Sequence, residues 1–205
     1  GELEAVGHPV LTISMPTSNR YDIAGEFFRW QFATAIAAAL MDIYPFDQPD
    51  VETAKVKSRE LLSHSAVDID TVEMKRALGT VKAAQSPGYV AIVAFLPESP
   101  ELTAAFMLLR KNISINTGMA TTFGYGPRYL HSTGQLYKGG PQNATVLGFV
   151  SGKEDDLAVP GAGFTFGQLT EAQTGGDFIV MAEGGQTVLP IRLGNNPAGE
   201  IDTAA

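Results

Sequence analysis

The sequence predicts an α/β protein, a three-layer sandwich in which helices cover both faces of a mainly parallel sheet. The run from Tyr89 to Leu96 is apolar at almost every position, which is typical of a short strand buried on both faces. Other short β-rich runs alternate along the chain with segments that have helical periodicity and helix-capping residues. Ligands of such sheets normally lie outside the carboxyl ends of the strands.

The predicted strands and helices can be placed in order. Apolar and β-branched runs predict strands at Pro9–Met15, Tyr89–Leu96, Ala120–Tyr125, Thr145–Val150 and Thr187–Leu193. Helical periodicity predicts helices at about 22–42, 48–63, 70–84 and 166–174, with one more after Ser99. Asp177 caps a last short helix, unless Phe178–Met181 pairs with the last strand as a hairpin. The helix at 22–42 is apolar on nearly every face, so we expect it to be buried between other elements.

Length and composition are those of one globular domain. The chain has 205 residues, of which 44% are hydrophobic, and this is enough for a sizeable core. We therefore expect one domain over residues 1–193. Residues 194–205 are rich in Gly, Asn, Pro and acidic residues, so we expect them to form a disordered tail.

Charge and residue types limit the class of partner. A net charge of −8 argues against nucleic acid or an anionic membrane, whereas a phosphorylated small molecule needs only local basic groups. The absence of cysteine excludes disulfides and thiolate catalysis, and His8, His64 and His131 have no metal-ligand spacing. No secretory signal opens the chain and no apolar run approaches the roughly 20 residues that span a bilayer, so we expect a cytoplasmic protein.

The segment from Phe46 to Lys55, which reads FDQPDVETAK, predicts the start of a helix. Its proline suits the first helical position, and the acidic residues suit a first turn near the positive end of the helix dipole. Gln48 and Lys55 are seven residues apart, nearly two turns, and therefore share one face. This face either contributes a functional pair or is a solvated surface on which Lys55 pairs with Glu52.

The segment from Phe123 to Pro141 is too rich in glycine and polar side chains to be a plain connection, and it follows a predicted strand. Arg128, His131, Gln135 and Lys138 recur at spacings of three or four, so a single helical face would present all four. Such a face can bind a phosphorylated or polyhydroxylated ligand. The alternative is a solvated helix whose histidine hydrogen-bonds a backbone carbonyl.

Both segments resemble the phosphoglucose isomerase family. The first is similar to the family's Phe-Asp-Gln-x-Gly-Val-Glu-x-x-Lys signature, with Asp50 in place of the glycine. In the second, His131, Gln135, Leu136 and Gly140 resemble the pattern around the family's histidine, although that segment precedes the Gln/Lys signature in ordinary members. The likeness is greatest to the isomerase part of bacterial transaldolase/phosphoglucose isomerase fusion proteins, and it runs from about Thr12 to Leu193.

The resemblance implies a sugar-isomerase (SIS)-like domain that interconverts glucose 6-phosphate and fructose 6-phosphate in glycolysis and gluconeogenesis. It implies that Lys55 and His131 are catalytic, that Gln48 binds substrate, and that no metal or organic cofactor is needed. Arg128, Gln135 and Lys138 are further candidates for binding the substrate. The imidazole has the acid/base range that ring opening requires, and the lysine cation can assist at the ring oxygen.

The family's base glutamate and phosphate-binding Ser/Thr loop have no match in this sequence. By resemblance they come from an upstream isomerase domain, so we expect the isolated chain to lack isomerase activity. Two alternatives remain: a non-catalytic sugar-phosphate-binding domain of the same fold, and a domain that dimerises through the helix from Phe27 to Leu40. Family members share their histidine across a dimer interface, so the resemblance also leaves a homodimer open.

Overall fold

The computed structural model describes residues 1–14, 19–63, 69–84, 87–151 and 156–204. The chain forms two compact units, an amino-terminal unit of Gly1–Asp47 and a carboxyl-terminal unit of Gln48–Ala205. The sequence analysis expected one domain over 1–193. The division instead falls inside the FDQPDVETAK segment, between its aspartate and its glutamine.

The amino-terminal unit contains helix α1 (Glu2–Ala5) and helix α2 (Asp22–Leu40). The predicted strand is wrong over residues 9–14, which are not in a strand, and Met15 lies outside the described residues. Helix α2 is confirmed, but its predicted burial is not. Its Phe27, Phe28 and Trp30 are 62%, 69% and 56% exposed, because within the described part of this unit only the four-residue α1 is another helix or strand.

The carboxyl-terminal unit is an α/β fold. Its helices are α3 (Pro49–Ser63), α4 (Met74–Ala83), α5 (Pro100–Thr117), a 3-10 helix (Arg128–His131), α6 (Gly134–Gly139), α7 (Phe166–Glu183) and α8 (Pro197–Ala204). Its strands are β1 (Tyr89–Phe95), β2 (Ala120–Tyr125), β3 (Ala144–Ser151) and β4 (Thr187–Leu193). All pairings are parallel, in the order β2-β1-β3-β4, which confirms the predicted fold class and four of the predicted strands.

Strand β1 is central and contributes to a core on each face of the sheet. Val90, Ile92 and Ala94 join the core that contains α4, α5 and α8. Ala91 and Val93 point to the other face and join the core that contains Tyr129 and residues of α6 and α7. Because neighbouring strand residues point in opposite directions, a strand between two layers must be apolar throughout, and this is the pattern that the sequence carries.

Helix α7 is longer than predicted and changes two interpretations. It continues from Phe166 to Glu183, so Asp177 lies inside the helix rather than at a cap, and the hairpin over Phe178–Met181 is wrong. The two glycines before the aspartate, Gly175 and Gly176, are poor helix formers and lie just after the predicted end of this helix. In the structure they are buried, and the close packing of α7 on α3 outweighs their low propensity.

The predicted disordered tail is also wrong. Residues 197–204 form α8, which packs on α5 and buries Ile201 completely. The Glu200 carboxylate accepts a hydrogen bond of 2.9 Å from the Gly194 backbone N–H and so fixes the turn before the helix. Burial of Ile201, with Ala198 packed against the same core, therefore stabilises a helix in this segment.

Candidate functional site

Lys55 lies on the exposed side of α3, and Gln48 is the exposed residue immediately before the helix. The inner side of α3 is small and apolar, with Val51 and Ala54 buried. Lys55 is exposed, and its Nζ lies 2.5 Å from Glu52 Oε1. The hydrogen bond and charge of this lysine lower the pKa of Glu52. The solvated pair considered in the sequence analysis is thus present, and it leaves the lysine at the surface within reach of solutes.

The segment after β2 does not form one helix, so the predicted shared face of Arg128, His131, Gln135 and Lys138 is wrong. A 3-10 helix ends at His131, and α6 begins only at Gly134. The interruption has a local cause. The Tyr129 carbonyl accepts from the backbone N–H groups of Ser132 and Thr133 and also from both of their hydroxyls, and such side-chain bonds compete with a continuing helix.

The four predicted binding residues consequently occupy different environments. Arg128 is exposed, and its Nη2 donates a hydrogen bond of 2.8 Å to Glu98 Oε2. His131 is also exposed. Gln135 is half-buried, whereas Lys138 is fully buried. A ligand cannot reach Lys138 in this arrangement, so its predicted role in direct substrate contact is corrected.

The structure brings the two sequence motifs together at the start of α3. The Gln135 side-chain amide donates to Asp50 Oδ2 over 2.5 Å, although the two residues are 85 positions apart. Gly134 of α6 also packs on the Val51 side chain of α3, since a Cβ added at this glycine would lie 3.6 Å from Val51 Cγ2. We call this meeting of α3 and α6 the α3–α6 junction. Asp50, the position at which the sequence departs from the isomerase signature, makes the contact.

Asp177 holds both ends of the histidine segment. Its Oδ1 lies 3.0 Å from Lys138 Nζ, and its Oδ2 accepts a hydrogen bond of 3.0 Å from the Tyr129 hydroxyl. The lysine and aspartate side chains are 0% and 2% exposed. One carboxylate on α7 therefore anchors both the 3-10 helix, which ends with His131, and α6.

Burial and charge oppose each other in this anchor. Burial raises the pKa of Asp177 and lowers the pKa of Lys138, whereas the charge of each partner moves the pKa of the other back. Burial also raises the pKa of the Tyr129 hydroxyl, which keeps it protonated and donating. Lys138 Nζ lies 3.0 Å from Asp177 Oδ1, but the geometry is not that of a hydrogen bond. The contact is therefore an ion pair.

Sequence reasoning missed the role of Asp177. The signal available was an ionisable residue within an otherwise small and apolar stretch, GGDFIVM, where a carboxylate needs a buried partner. That stretch was interpreted as a helix cap or hairpin instead. Its partner Lys138 was interpreted as a ligand contact because its spacing from Gln135 is helical, and that spacing carries no information about Asp177.

Neither a metal centre nor a membrane span is found in the part of the chain that the structure describes. No group of three or more His, Asp or Glu side chains in those residues could hold a metal ion. Within the same residues no helix is both long and apolar enough to cross a bilayer. His64 lies outside the described residues.

Comparison with known proteins establishes the fold. No family model matches the sequence, and no curated protein matches it. The structure is similar to the crystal structure of a hypothetical protein, TT0462, from Thermus thermophilus, with a TM-score of 0.51 and 17% sequence identity. The match covers 77% of this chain and 42% of the Thermus chain, so it spans less than half of that protein. At this identity the likeness shows the fold alone.

Proposed function

We propose that this chain is the carboxyl-terminal part of a glucose-6-phosphate isomerase, which interconverts glucose 6-phosphate and fructose 6-phosphate. The observation that carries the proposal is the α3–α6 junction. Two segments that resemble the same enzyme family, and that are distant in sequence, contact each other through Asp50 and Gln135. If both resemblances were accidental, nothing would require the segments to meet.

The proposed roles follow from the chemistry of each group. His131 is exposed, and its imidazole can accept and donate the protons that move when the sugar ring opens. Lys55 supplies a positive charge beside the ring oxygen once a ligand replaces Glu52 as its partner. Gln48 is exposed at the start of α3 and binds sugar hydroxyls or phosphate through its amide.

The proton transfer between C1 and C2 needs a carboxylate base, which we assign to an upstream isomerase domain together with the main phosphate loop. The proposed reaction uses no metal or organic cofactor. We place the enzyme in the cytoplasm, where sugar phosphates are available. The alternative is a domain that dimerises through α2, and the exposed apolar side chains of this helix favour it. If dimerisation is the function, substitutions on α3 should leave isomerisation unaffected.

Replacing Lys55 or Gln48 by alanine in the enzyme that contains this chain should lower kcat/KM for fructose 6-phosphate by at least about tenfold. This is the scale expected when one positioned charged or polar contact to the transition state is lost. The measurement is a coupled assay that follows glucose 6-phosphate formation.

Lys57→Ala is the matched control, since Lys57 lies on the same helix but reaches Glu183 of α7 at 3.6 Å. We expect it to retain the wild-type kcat/KM. Unchanged kinetics in Lys55→Ala and Gln48→Ala, or an equal loss in Lys57→Ala, would refute the assignment of α3 to the active site.

A further inference from the structure

Strand β2 forms an edge of the sheet, since among the described strands it pairs with β1 alone. The backbone groups of successive residues point to opposite sides of a strand, so every second residue of an edge strand lacks a ladder partner. The Gly126 N–H, just after β2, donates to the Ala94 carbonyl of β1 over 2.8 Å. Counting back in steps of one, the residues of β2 that face away from β1 are Thr121, Phe123 and Tyr125.

The first part of this free edge is covered, and the second part is not. The Thr121 carbonyl accepts a hydrogen bond of 2.8 Å from Arg110 Nη2 of α5, as expected for a carbonyl that faces away from β1. Within the described residues, no hydrogen bond reaches the outward backbone groups of Phe123 or Tyr125. Phe123 is half-buried and Tyr125 is buried, and shielded backbone groups without a partner cost free energy. An added strand supplies the missing partners.

A cleft of about 400 Å³ lies along this uncovered part of β2. One wall contains Thr103 and Met107 of α5, the helix that packs in the first core. The other wall contains Thr133 and Tyr137, and Tyr137 belongs to the second core. These two cores lie on opposite faces of the sheet. A cleft that has both walls and β2 as its lining therefore lies between the helical layers, over the edge of the sheet.

The two walls of the cleft differ in chemistry. On the α5 side, Met107 is partly exposed and the half-buried Phe123 ring adds further apolar surface. On the other side, the Ser132 and Thr133 hydroxyls donate to the Tyr129 carbonyl and keep their lone pairs for outside donors. Side chains of a strand alternate between its two faces, so an extended peptide with alternating apolar and hydroxyl side chains fits both walls.

A charged pair stands at the carboxyl end of this cleft. Glu98 and Arg128 each follow the last residue of a strand, β1 and β2, by three positions, and both line the cleft. Arg128 Nη2 donates to Glu98 Oε2 over 2.8 Å, and both side chains are exposed, so a change of partner costs little. The guanidinium has five N–H donors in a fork that fits a carboxylate. A peptide that runs parallel to β2 brings its terminal carboxylate to this end.

We propose that the cleft beside β2 binds the carboxyl-terminal residues of an extended peptide, which joins the sheet as a further parallel strand. Phe123 and Tyr125 hydrogen-bond the peptide backbone, and Arg128 binds the terminal carboxylate. Residues 123–125 span about 10 Å at about 3.3 Å per residue, so the uncovered edge takes about three peptide residues. The partner is a polypeptide, and its binding does not depend on the isomerase activity proposed above.

The test is a titration of the ¹⁵N-labelled protein with the peptide acetyl-Val-Thr-Val-Thr-Val, which has a free terminal carboxylate. We expect saturable amide shifts over residues 122–137 and slower hydrogen exchange at the Phe123 and Tyr125 amides. The same peptide with a terminal amide should bind at least about tenfold more weakly, because it lacks one charge-assisted hydrogen bond. Arg128→Gln should abolish this difference and leave binding of the amidated peptide unchanged.

Two further peptides test strand addition itself. One is N-methylated at its third residue and the other at its fourth, and only alternate N–H groups of an added strand face β2. One of the two should therefore bind about fivefold more weakly than the parent peptide, the effect of losing one backbone hydrogen bond, and the other should keep most of the affinity. Equal affinities of the two N-methylated peptides would mean that no ladder forms.

Arg59→Gln on α3 is the matched control for general charge attraction, and we expect it to leave every peptide affinity unchanged. The proposal is overturned if no saturable shifts occur over 122–137, or if the amidated peptide binds as tightly as the free acid. Equal weakening by Arg59→Gln and Arg128→Gln overturns it as well. Shifts over 122–125 that depend on protein concentration without peptide would show that a second copy of the chain occupies the edge, which also excludes the proposal.

Discussion

Asp177→Asn is expected to lower the free energy of unfolding by about 3–5 kcal/mol, the range for removing one partner of a buried ion pair. The substitution keeps an acceptor for the Tyr129 hydroxyl and removes only the charge. The Lys138 ammonium, which is fully buried, then has no counter-ion within its 3.0 Å contact. Urea unfolding followed by circular dichroism measures the loss.

The loss should depend on pH in a defined direction. Burial already lowers the pKa of Lys138, and removing the Asp177 charge lowers it further. In the pH range between this lowered value and the ordinary value of about 10.4, the unfolded chain binds more protons than the folded one, so stability rises with pH. The same lysine has a higher pKa in the wild type, where the Asp177 charge opposes the effect of burial. The difference in stability between Asp177→Asn and wild type should therefore narrow as the pH rises from the pKa of Lys138 in the variant to its pKa in the wild type.

A triple variant tests the explanation by charge. Tyr129→Phe, Lys138→Met and Asp177→Leu together replace the network by apolar side chains of similar size, and such exchanges are often neutral or stabilising. We expect the triple variant to recover most of the stability that Asp177→Asn loses. If it is as unstable as the single variant, loss of packing rather than an unpaired charge is the cause.

The anchor also has a consequence for the proposed site. Since Asp177 attaches both Tyr129 and Lys138, losing its charge should increase hydrogen exchange across residues 129–138 before it affects β1. The segment that carries His131 would then open locally while the sheet stays folded. Equal exchange rates in wild type and variant would mean that α6 is positioned by other contacts.

The strands of the sheet could be predicted from local patterns of apolar and β-branched residues. β1 is buried on both faces, so its sequence is apolar throughout, and β2 and β4 were placed with the ends that the structure has. The first predicted strand failed because residues 9–14 have the composition of a strand but no strand partner. A β-rich run alone does not decide whether a ladder forms.

The candidate site could be predicted only where residues adjacent in sequence determine the local structure. The start of α3 is determined by its own proline and acidic residues, and it was correctly placed. The Asp50–Gln135 and Lys138–Asp177 contacts depend on how distant helices pack, and spacing within one segment carries no information about them. Helical spacing therefore placed Lys138 on a ligand-binding face, whereas the tertiary fold directs it to a buried carboxylate.

Gly176 of α7 lies directly against the backbone of α3, the helix that contains Lys55 and follows Gln48. A Cβ added at Gly176 would lie 2.8 Å from the Ala54 carbonyl oxygen and 2.9 Å from the Ser58 backbone nitrogen. Both atoms belong to the α3 backbone, so the helix itself must move. We expect Gly176→Ala to destabilise the protein by about 1–3 kcal/mol, the usual cost of overpacking, despite the better helix propensity of alanine.

Gly79→Ala is the matched control, because Gly79 is an exposed residue within α4 and an added Cβ would meet nothing within 4 Å. There the same substitution should stabilise by about 0.5–1 kcal/mol, since only helix propensity changes. The two variants should thus change the urea midpoint in opposite directions. If Gly176→Ala stabilises as Gly79→Ala does, α3 is not held against α7 as closely as the structure indicates. If it destabilises, the proposed function adds a second expectation: the variant should also lower turnover in the proposed isomerase, because the displaced helix would move Lys55 and Gln48 relative to the proposed substrate site.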